Sequence, residues 1–308
     1  MNPKDIPQDL HINARDVDEY AEQYDPTEKQ FIKSAAMYGP ELNQRLFGEQ
    51  APKKPGTPFP QLGGDMEFRP GELSIWGGYN GHRKSMLTSQ MALWWMKQGQ
   101  KVCIASFEMK PVVTLERMVW QAARNRQPAE AYVGDWLMWL IGKMWIYDQQ
   151  GSVHPQRVLN LARYFGGAMN GHHLVIDSLT KCGMAEDDHA RLQWFVNELT
   201  SIASDTGLHI HLVHHVKKPS DDEGRIPGKY DLKGTGNIAD QASNILLIWQ
   251  DKKRQQDSEA AASDPNALLI IAKQRNGEFE GKVRLKFDPT SLHHLEHHQR
   301  YPFDWKAK

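Results

Sequence analysis

Gly77-Gly78-Tyr79-Asn80-Gly81-His82-Arg83-Lys84-Ser85 is the stretch on which the reading of this chain turns. It follows the apolar run Leu73-Ser74-Ile75-Trp76 and precedes a helix-like segment from Met86 to Trp95. An apolar strand, a glycine-rich turn closed by Lys-Ser, and then a helix is the layout of a phosphate-binding loop. Aligned to G-x-x-x-x-G-K-[ST], Gly78 stands first, Lys84 and Ser85 stand last, and Arg83 occupies the place of the second glycine. Backbone N–H groups from Gly78 through Tyr79, Asn80, Gly81, His82 and Arg83 to Lys84 and Ser85 would face phosphates. Lys84 would bridge the outer ones, and the Ser85 hydroxyl would hold Mg2+.

Working outward, apolar runs alternate with helix-length segments. Strands are expected at Leu73–Trp76, Lys101–Phe107, Met144–Tyr147, His173–Asp177, Leu208–His214, Asn244–Trp249, Ala267–Lys273 and Lys282–Phe287. Helices are expected at Pro111–Asn125, Pro155–Met169 and Ala190–Thr206. Near-continuous apolar strands punctuated by helices indicate a mostly parallel sheet with flanking helices. The last two strands, separated by Asn276-Gly277-Glu278-Phe279-Glu280-Gly281, read as an antiparallel hairpin at one edge. The Trp residues at 94, 95, 136, 139 and 145 sit in apolar settings and are assigned to packing.

Upstream, residues 1–25 are polar and acidic. Residues 26–60 read as an arm: a helix begins after Asp25-Pro26-Thr27-Glu28 and carries Phe31, Ala35 and Tyr38, Gly39-Pro40 breaks it, and a shorter helix with Leu42, Leu46 and Phe47 follows. The Pro-rich run Ala51 to Pro60 is expected to be an extended linker. The main domain spans 61–292, and residues 293–308 read as a His-rich polar tail. His293, His294, His297 and His298 there lack supporting cysteines and are assigned to solvent or a partner rather than a metal.

Two strand-end carboxylates extend the phosphate-loop reading. Leu174-Val175-Ile176-Asp177 ends an apolar strand in a group suited to Mg2+, and Ser106-Phe107-Glu108 ends another in a group placed to orient or deprotonate an attacking water. Either acid alone is ordinarily a turn or helix-start residue; the three elements together point to nucleotide chemistry.

Bulk properties bound the setting. The 308 residues carry 37 Lys plus Arg against 38 Asp plus Glu, so no global basic charge advertises nucleic acid and any such surface must be local. The two cysteines, Cys103 and Cys182, fall in or beside apolar runs, as expected in a reducing cytoplasm. No run approaches a membrane span, and the start has no signal-peptide core.

The order of further motifs makes a resemblance specific: Ser106-Phe107-Glu108-Met109, Leu174 to Asp177, His214-His215-Val216-Lys217-Lys218-Pro219, Asp231-Leu232-Lys233-Gly234-Thr235-Gly236 and Lys273-Gln274-Arg275. Across residues 68–290 the chain resembles the RecA-like motor domain of DnaB-family replicative helicases, above all the helicase half of phage primase-helicases and of the mitochondrial helicase Twinkle. The arm at 26–60 resembles that family's linker helix. The resemblance implies an α/β P-loop NTPase core in a homo-hexameric ring around single-stranded DNA, hydrolysing ATP or another NTP or dNTP at the β-γ bond to drive translocation and unwinding. It implies catalytic Glu108, Mg2+ at Ser85 and Asp177, and a γ-phosphate-sensing histidine at His215. His214 is adjacent and an offset of one is open, with the spacing to Lys217 and Pro219 favouring His215. It further implies that Lys273 and Arg275 act in trans on the neighbouring subunit's nucleotide, and that Lys217, Lys233 and Gly234 contact the single strand. The whole stretch from Lys217 to Gly234, with turn formers at Pro219, Gly224, Pro227 and Gly228, reads as a long mobile loop, and Lys218, Arg225 and Lys229 are expected to join the DNA contact. No primase segment is expected ahead of the motor. Either a separate primase, polymerase or loader as partner or a priming-independent role is therefore expected, in a phage or mobile-element setting within a bacterial cytoplasm. The departure at Arg83 sets up the alternative of a nucleotide-gated single-strand DNA-binding or loading ring with impaired hydrolysis.

Overall fold

The structure, a computed structural model, describes residues 34–47, 55–185, 187–217, 224–234, 236–252 and 265–296. The expected polar tail 1–25, Phe31, Lys218, Thr235, His297 and His298 lie outside the described residues. The chain divides into one unit up to Lys53 and another from Lys54. In the first, a 3-10 turn at Ala35–Tyr38 leads into helix α1 (Gly39–Phe47). Pro40 sits in the first turn of α1, where its missing N–H costs nothing. Met37, Tyr38, Leu42 and Phe47 are exposed.

In the second unit the apolar runs become nine strands: β1 (Leu73–Gly78), β2 (Val102–Ser106), β3 (Met144–Ile146), β4 (His173–Asp177), β5 (His209–His215), β6 (Asn244–Gln250), β7 (Ala267–Gln274), β8 (Gly281–Asp288) and β9 (His293–Glu296). They form one sheet in the order β3-β2-β4-β5-β1-β6-β7-β8-β9. The first six are parallel, and β7, β8 and β9 are added antiparallel. Alternation across the pleat feeds two cores. Leu174 and Ile176 of β4 pack with α5 (Pro155–Arg163), α6 (His189–Thr206) and α7 (Gly236–Gln241). Val175 between them faces α2 (Lys84–Lys97), α3 (Pro111–Ala123) and α4 (Glu130–Leu140). Strands covered on both faces are largely apolar, which is why they read as near-continuous runs, although β5 also buries His209, His211 and His214.

Local signals set the helix ends. Pro111 and Pro155 open α3 and α5, and the Asp188 side chain accepts from the Arg191 N–H at the start of α6. Gly207, at φ 73°, closes α6. The helix expected through Met169 instead changes to a π turn at Tyr164–Ala168.

Three expectations are corrected. The extended linker ends early: from Pro55 the chain belongs to the main domain, because Phe59 and Leu62 are buried beside Met66 and Phe68 in the core over α2, and the Phe68 N–H donates to the Pro55 carbonyl at 2.8 Å. The domain therefore starts at Lys54 rather than at residue 61. His293 and His294 are not a polar tail but the start of β9, both fully buried. The Gln90 side chain on α2 holds His294 by both its backbone groups, donating to the carbonyl at 2.9 Å and accepting the N–H at 2.8 Å. Part of the supposed mobile loop is also fixed, as described below. Helix α4 has no counterpart among the expected helices, because Tyr132, Val133, Trp136, Leu137, Met138, Trp139 and Leu140 give no polar face from which to read a period.

Candidate functional site

The site grows from the end of β1. Gly78 is required there by space: a Cβ would meet the Ile248 carbonyl oxygen of β6 at 2.6 Å. The turn then places Gly81 at φ 77° and Arg83 at φ 59° before α2 begins at Lys84. Left-handed backbone at the second motif position explains why glycine is usual there. Arg83 adopts it nonetheless, and its guanidinium lies 3.7 Å from the centre of the Phe287 ring on β8, a cation–π contact that turns the bulk of the side chain onto the antiparallel extension.

Lys84 is buried, its Nζ donating to the carbonyls of Gly78 at 3.0 Å and Tyr79 at 3.1 Å and standing 3.1 Å from Nδ1 of His215. Burial lowers its pKa to about 8, opposed by the nearby Asp177 and Glu108 carboxylates. The next hydroxyl, Ser85 Oγ, donates to Asp177 Oδ2 at 2.5 Å. Burial pushes the Asp177 carboxyl up, against the Ser85 hydrogen bond that favours its charged form. Glu108, exposed just beyond β2, accepts from Ser178 Oγ at 2.9 Å. The parallel order β2-β4-β5-β1 brings these groups together, since every one of those strands delivers its C-terminal end to the same edge. A cleft of about 480 Å³ joins Lys84, Ser85, Glu108, Asp177 and His215, with Asn80, Gly81 and Arg83 at its rim. It also admits Arg117 of α3, which sequence reasoning missed. Arg117 stands one residue after Glu116 on an ordinary amphipathic helix, with no local signature to mark it.

Two residues of the loop point the other way. Tyr79 and His82 are buried, ring edge to ring face at 5.2 Å, and His82 Nδ1 accepts the Gln250 N–H at 3.0 Å. Burial, with Lys252 close by, lowers the His82 pKa to about 4. Their side chains pin the turn to β6, and only their backbones remain for a phosphate. As to metal, no group of three or more His, Cys, Asp or Glu gathers among the described residues. Ser85 and Asp177 nevertheless present paired hard oxygens, a donor set that suits Mg2+, which usually takes one or two protein groups and completes its shell with phosphates and water.

Lys273 and Arg275 lie elsewhere. Lys273 pairs with Ile245 at the start of β6, and Ile245 pairs with Ile75 near the start of β1. They therefore sit at the opposite edge of the sheet from the loop, roughly 13 Å along β1 at about 3.3 Å per residue. Lys273 Nζ donates to the carbonyls of Ala239 and Asp240, both at 2.8 Å, and Arg275 Nη2 to Asp240 at 3.0 Å. Burial, followed by the Arg275 charge, lowers the Lys273 pKa.

The segment expected to move in contact with DNA is tied down at its far end. The Lys217 N–H donates to the Asp231 carbonyl at 2.7 Å, the Lys233 N–H to the His215 carbonyl at 2.9 Å, and Val216 bridges Leu232 antiparallel. Arg225 is engaged by Asp231 through bonds of 2.9 and 3.1 Å, so its charge is largely answered within the segment. Lys217 is exposed, and Lys229 Nζ lies 5.5 Å from the Tyr230 ring.

Comparison with known proteins agrees with this geometry. Residues 56–221 match the family model described as AAA domain. A DNA helicase/primase of Enterobacteria phage T3 is 23% identical over 222 residues, covering 66% of this chain and 38% of the relative. The chain thus spans well under half of that relative's length. A solved ATPase domain superposes with TM-score 0.70 at 17% identity, over 86% of this chain and 99% of its own. A DnaB-like replicative helicase, solved in a study of its interactions with primase, superposes with TM-score 0.71 at 16% identity, over 92% of this chain and 74% of its own. A family match over more than half of the sequence, a nine-stranded sheet with the phosphate loop after its central strand, and superposition on helicase ATPase domains lead to one assignment: the chain belongs to the AAA domain family and has the RecA-like P-loop NTPase fold of DnaB-type helicase motors.

Proposed function

We propose that this protein is a ring-forming, NTP-driven helicase motor that travels on single-stranded DNA and unwinds duplex during replication. The observation that carries the reading is the placement of charge: Lys84, Ser85, Glu108, Asp177 and His215 converge on one cleft, while Lys273 and Arg275 stand at the far sheet edge. In this reading Lys84 and the loop N–H groups hold the β- and γ-phosphates, and Glu108 orients the attacking water and takes its proton. Ser85 and Asp177 would hold Mg2+, whose charge would offset that of the phosphates. Ser178 keeps the Glu108 carboxylate aimed. His215, beside Lys84 and at the root of the 231–234 segment, reports the γ-phosphate to Lys217, Lys229, Lys233 and Gly234 on the DNA side.

A γ-phosphate in this cleft is beyond reach of the chain's own Arg275, so in this reading Arg275 serves the nucleotide of a second copy and adds its charge to that of Lys84 and Arg117 already at the cleft. That supports a closed ring, with a hexamer as its expected form, and gives the exposed Met37, Tyr38, Leu42 and Phe47 a role in docking on a neighbour. A phage or mobile-element origin, a bacterial cytoplasm and a separate primase, polymerase or loader go with this reading.

The test is steady-state NTP turnover with and without single-stranded DNA, beside strand displacement. Glu108→Gln should retain nucleotide binding within about threefold and lose at least about a hundredfold in turnover, within the range for removing a general base. Rings that bind DNA in a nucleotide-dependent way yet never turn over nucleotide would establish the second reading, the loading ring impaired by Arg83.

A further inference from the structure

His214 on β5 contacts the DNA-side segment at Lys233. Successive side chains of β5 point to opposite faces. His215 therefore faces Lys84 and the phosphate cleft, while His214 turns the other way, into a small enclosed pocket lined by Leu179, Thr180, Met184, Leu192, Lys233 and Gly234. Only 3% of His214 is exposed, and its Nε2 lies 2.8 Å from the carbonyl oxygen of Lys233. A carbonyl can only accept, so Nε2 carries the proton and donates. The Lys233 N–H is bound at the same time to the His215 carbonyl at 2.9 Å.

Lys233 is thus gripped by both its backbone groups, one through each of two consecutive histidines. Immediately beyond the grip the chain turns at Gly234, whose φ of 89° calls for glycine. We propose that His214 is a positioning residue that transmits the state of the nucleotide site to Lys233 and Gly234. A displacement of the β5 end moves Lys233 directly, because Lys233 is held by one hydrogen bond to the His215 carbonyl and one to the His214 ring rather than by a slack loop. The pocket's other wall, Leu179 and Thr180, directly follows the Asp177-Ser178 turn, so the clamp touches two of the strand ends that carry site residues, those of β4 and β5. The inference rests on the helicase reading for its biological meaning but not for its geometry.

The experiment compares His214→Phe, which keeps a flat ring and removes the donor, with His214→Gln, whose amide nitrogen reaches the position of Nε2. Two readouts are taken on the full chain: the ratio of turnover with single-stranded DNA to turnover without it, and amide hydrogen exchange at Leu232 and Lys233. In the Phe variant the ratio should fall at least about fivefold and exchange at Lys233 should quicken at least about tenfold, with both restored to within about twofold by Gln. A Phe variant with the wild-type ratio and wild-type exchange overturns the clamp, as does a Gln variant as impaired as Phe. If the unaltered protein shows no DNA stimulation, the helicase reading fails, and exchange at Lys233 alone decides the clamp.

Discussion

Lowering the pH should unfold this protein through a stack of three histidines in its core. His173 on β4 and His209 and His211 on β5 are fully buried, with the Trp95 ring 4.4 Å from His173 and 4.1 Å from His211 in near-parallel stacking. Their hydrogen bonds admit one arrangement of protons. His209 Nδ1 must donate to the Arg69 carbonyl at 2.6 Å, leaving Nε2 to accept from Ser74 Oγ at 2.7 Å. His211 Nδ1 accepts the Trp76 indole N–H at 3.1 Å, so its Nε2 donates to His173 Nδ1 at 3.0 Å. A second proton on His211 would point at another N–H. Burial accordingly holds His173 and His211 well below the usual value of 6.5 and lowers His209 to about 4.

A folded-state pKa below that of the unfolded chain means that the unfolded state binds more protons once pH falls under about 6.5. The stabilisation is therefore complete above that value and is lost progressively below it. At pH 5 each buried imidazole forgoes about 1.5 logarithmic units of protonation, on the order of 2 kcal/mol, and the three together on the order of 6 kcal/mol. That is comparable to the whole stability of a typical domain, about 5–15 kcal/mol. Asp177, held above the usual carboxylate range by burial, works in the opposite sense, but it is one group, whereas burial also lowers His82 and His293 to about 4 and His294 to about 3, and these add to the loss. Urea unfolding followed by circular dichroism at pH 8 and pH 5 checks this. A fall of several kcal/mol is expected, and one under about 2 kcal/mol would show that the stack accepts protons while folded, refuting the tautomer chain.

Two further outcomes separate the readings of the nucleotide site. Arg83→Gly relieves a left-handed residue, worth roughly 1–2 kcal/mol, and removes a cation–π contact worth about 0.5–1 kcal/mol. Because the side chain is parked on Phe287 rather than needed at the phosphates, turnover should stay within about threefold and thermal stability should change by only a few degrees. A rise of tenfold or more would mean that Arg83 obstructs the site. Arg275→Ala should lower DNA-stimulated turnover by at least about a thousandfold, as for loss of an arginine finger. In doped mixtures with the unaltered protein, activity should fall faster than the fraction of altered chains; strict proportionality would place the arginine's action in cis.

The legible part of this fold was its parallel half, and the reason is burial. β1, β2, β4 and β6 are covered on both faces and are largely apolar runs, β5 alternates buried histidines with apolar residues, and each ends where a site residue or loop begins. The candidate cleft was legible to the same extent: Glu108, Asp177 and His215 lie at strand ends, Lys84 and Ser85 open the helix after β1, and all five line one cleft. What escaped was set by contacts distant in sequence. Arg117 reaches the cleft from the middle of a helix, and only the packing of α3 on α2 brings it there. Residues 293–296 read as polar because three of the four are His or Glu. They are buried because the Gln90 amide, some two hundred residues away, satisfies the His294 backbone from both sides and makes a strand of it. Arg83 is the sharpest instance. Sequence alone left Arg83 as a departure that could impair hydrolysis, and the partner of its side chain is Phe287, an aromatic on an antiparallel strand that no motif connects to the loop. A substitution in a phosphate loop is therefore judged by what lies outside it, and here the receiving surface is the added edge sheet, which converts an apparent defect of the motif into a fastening between the nucleotide site and β8.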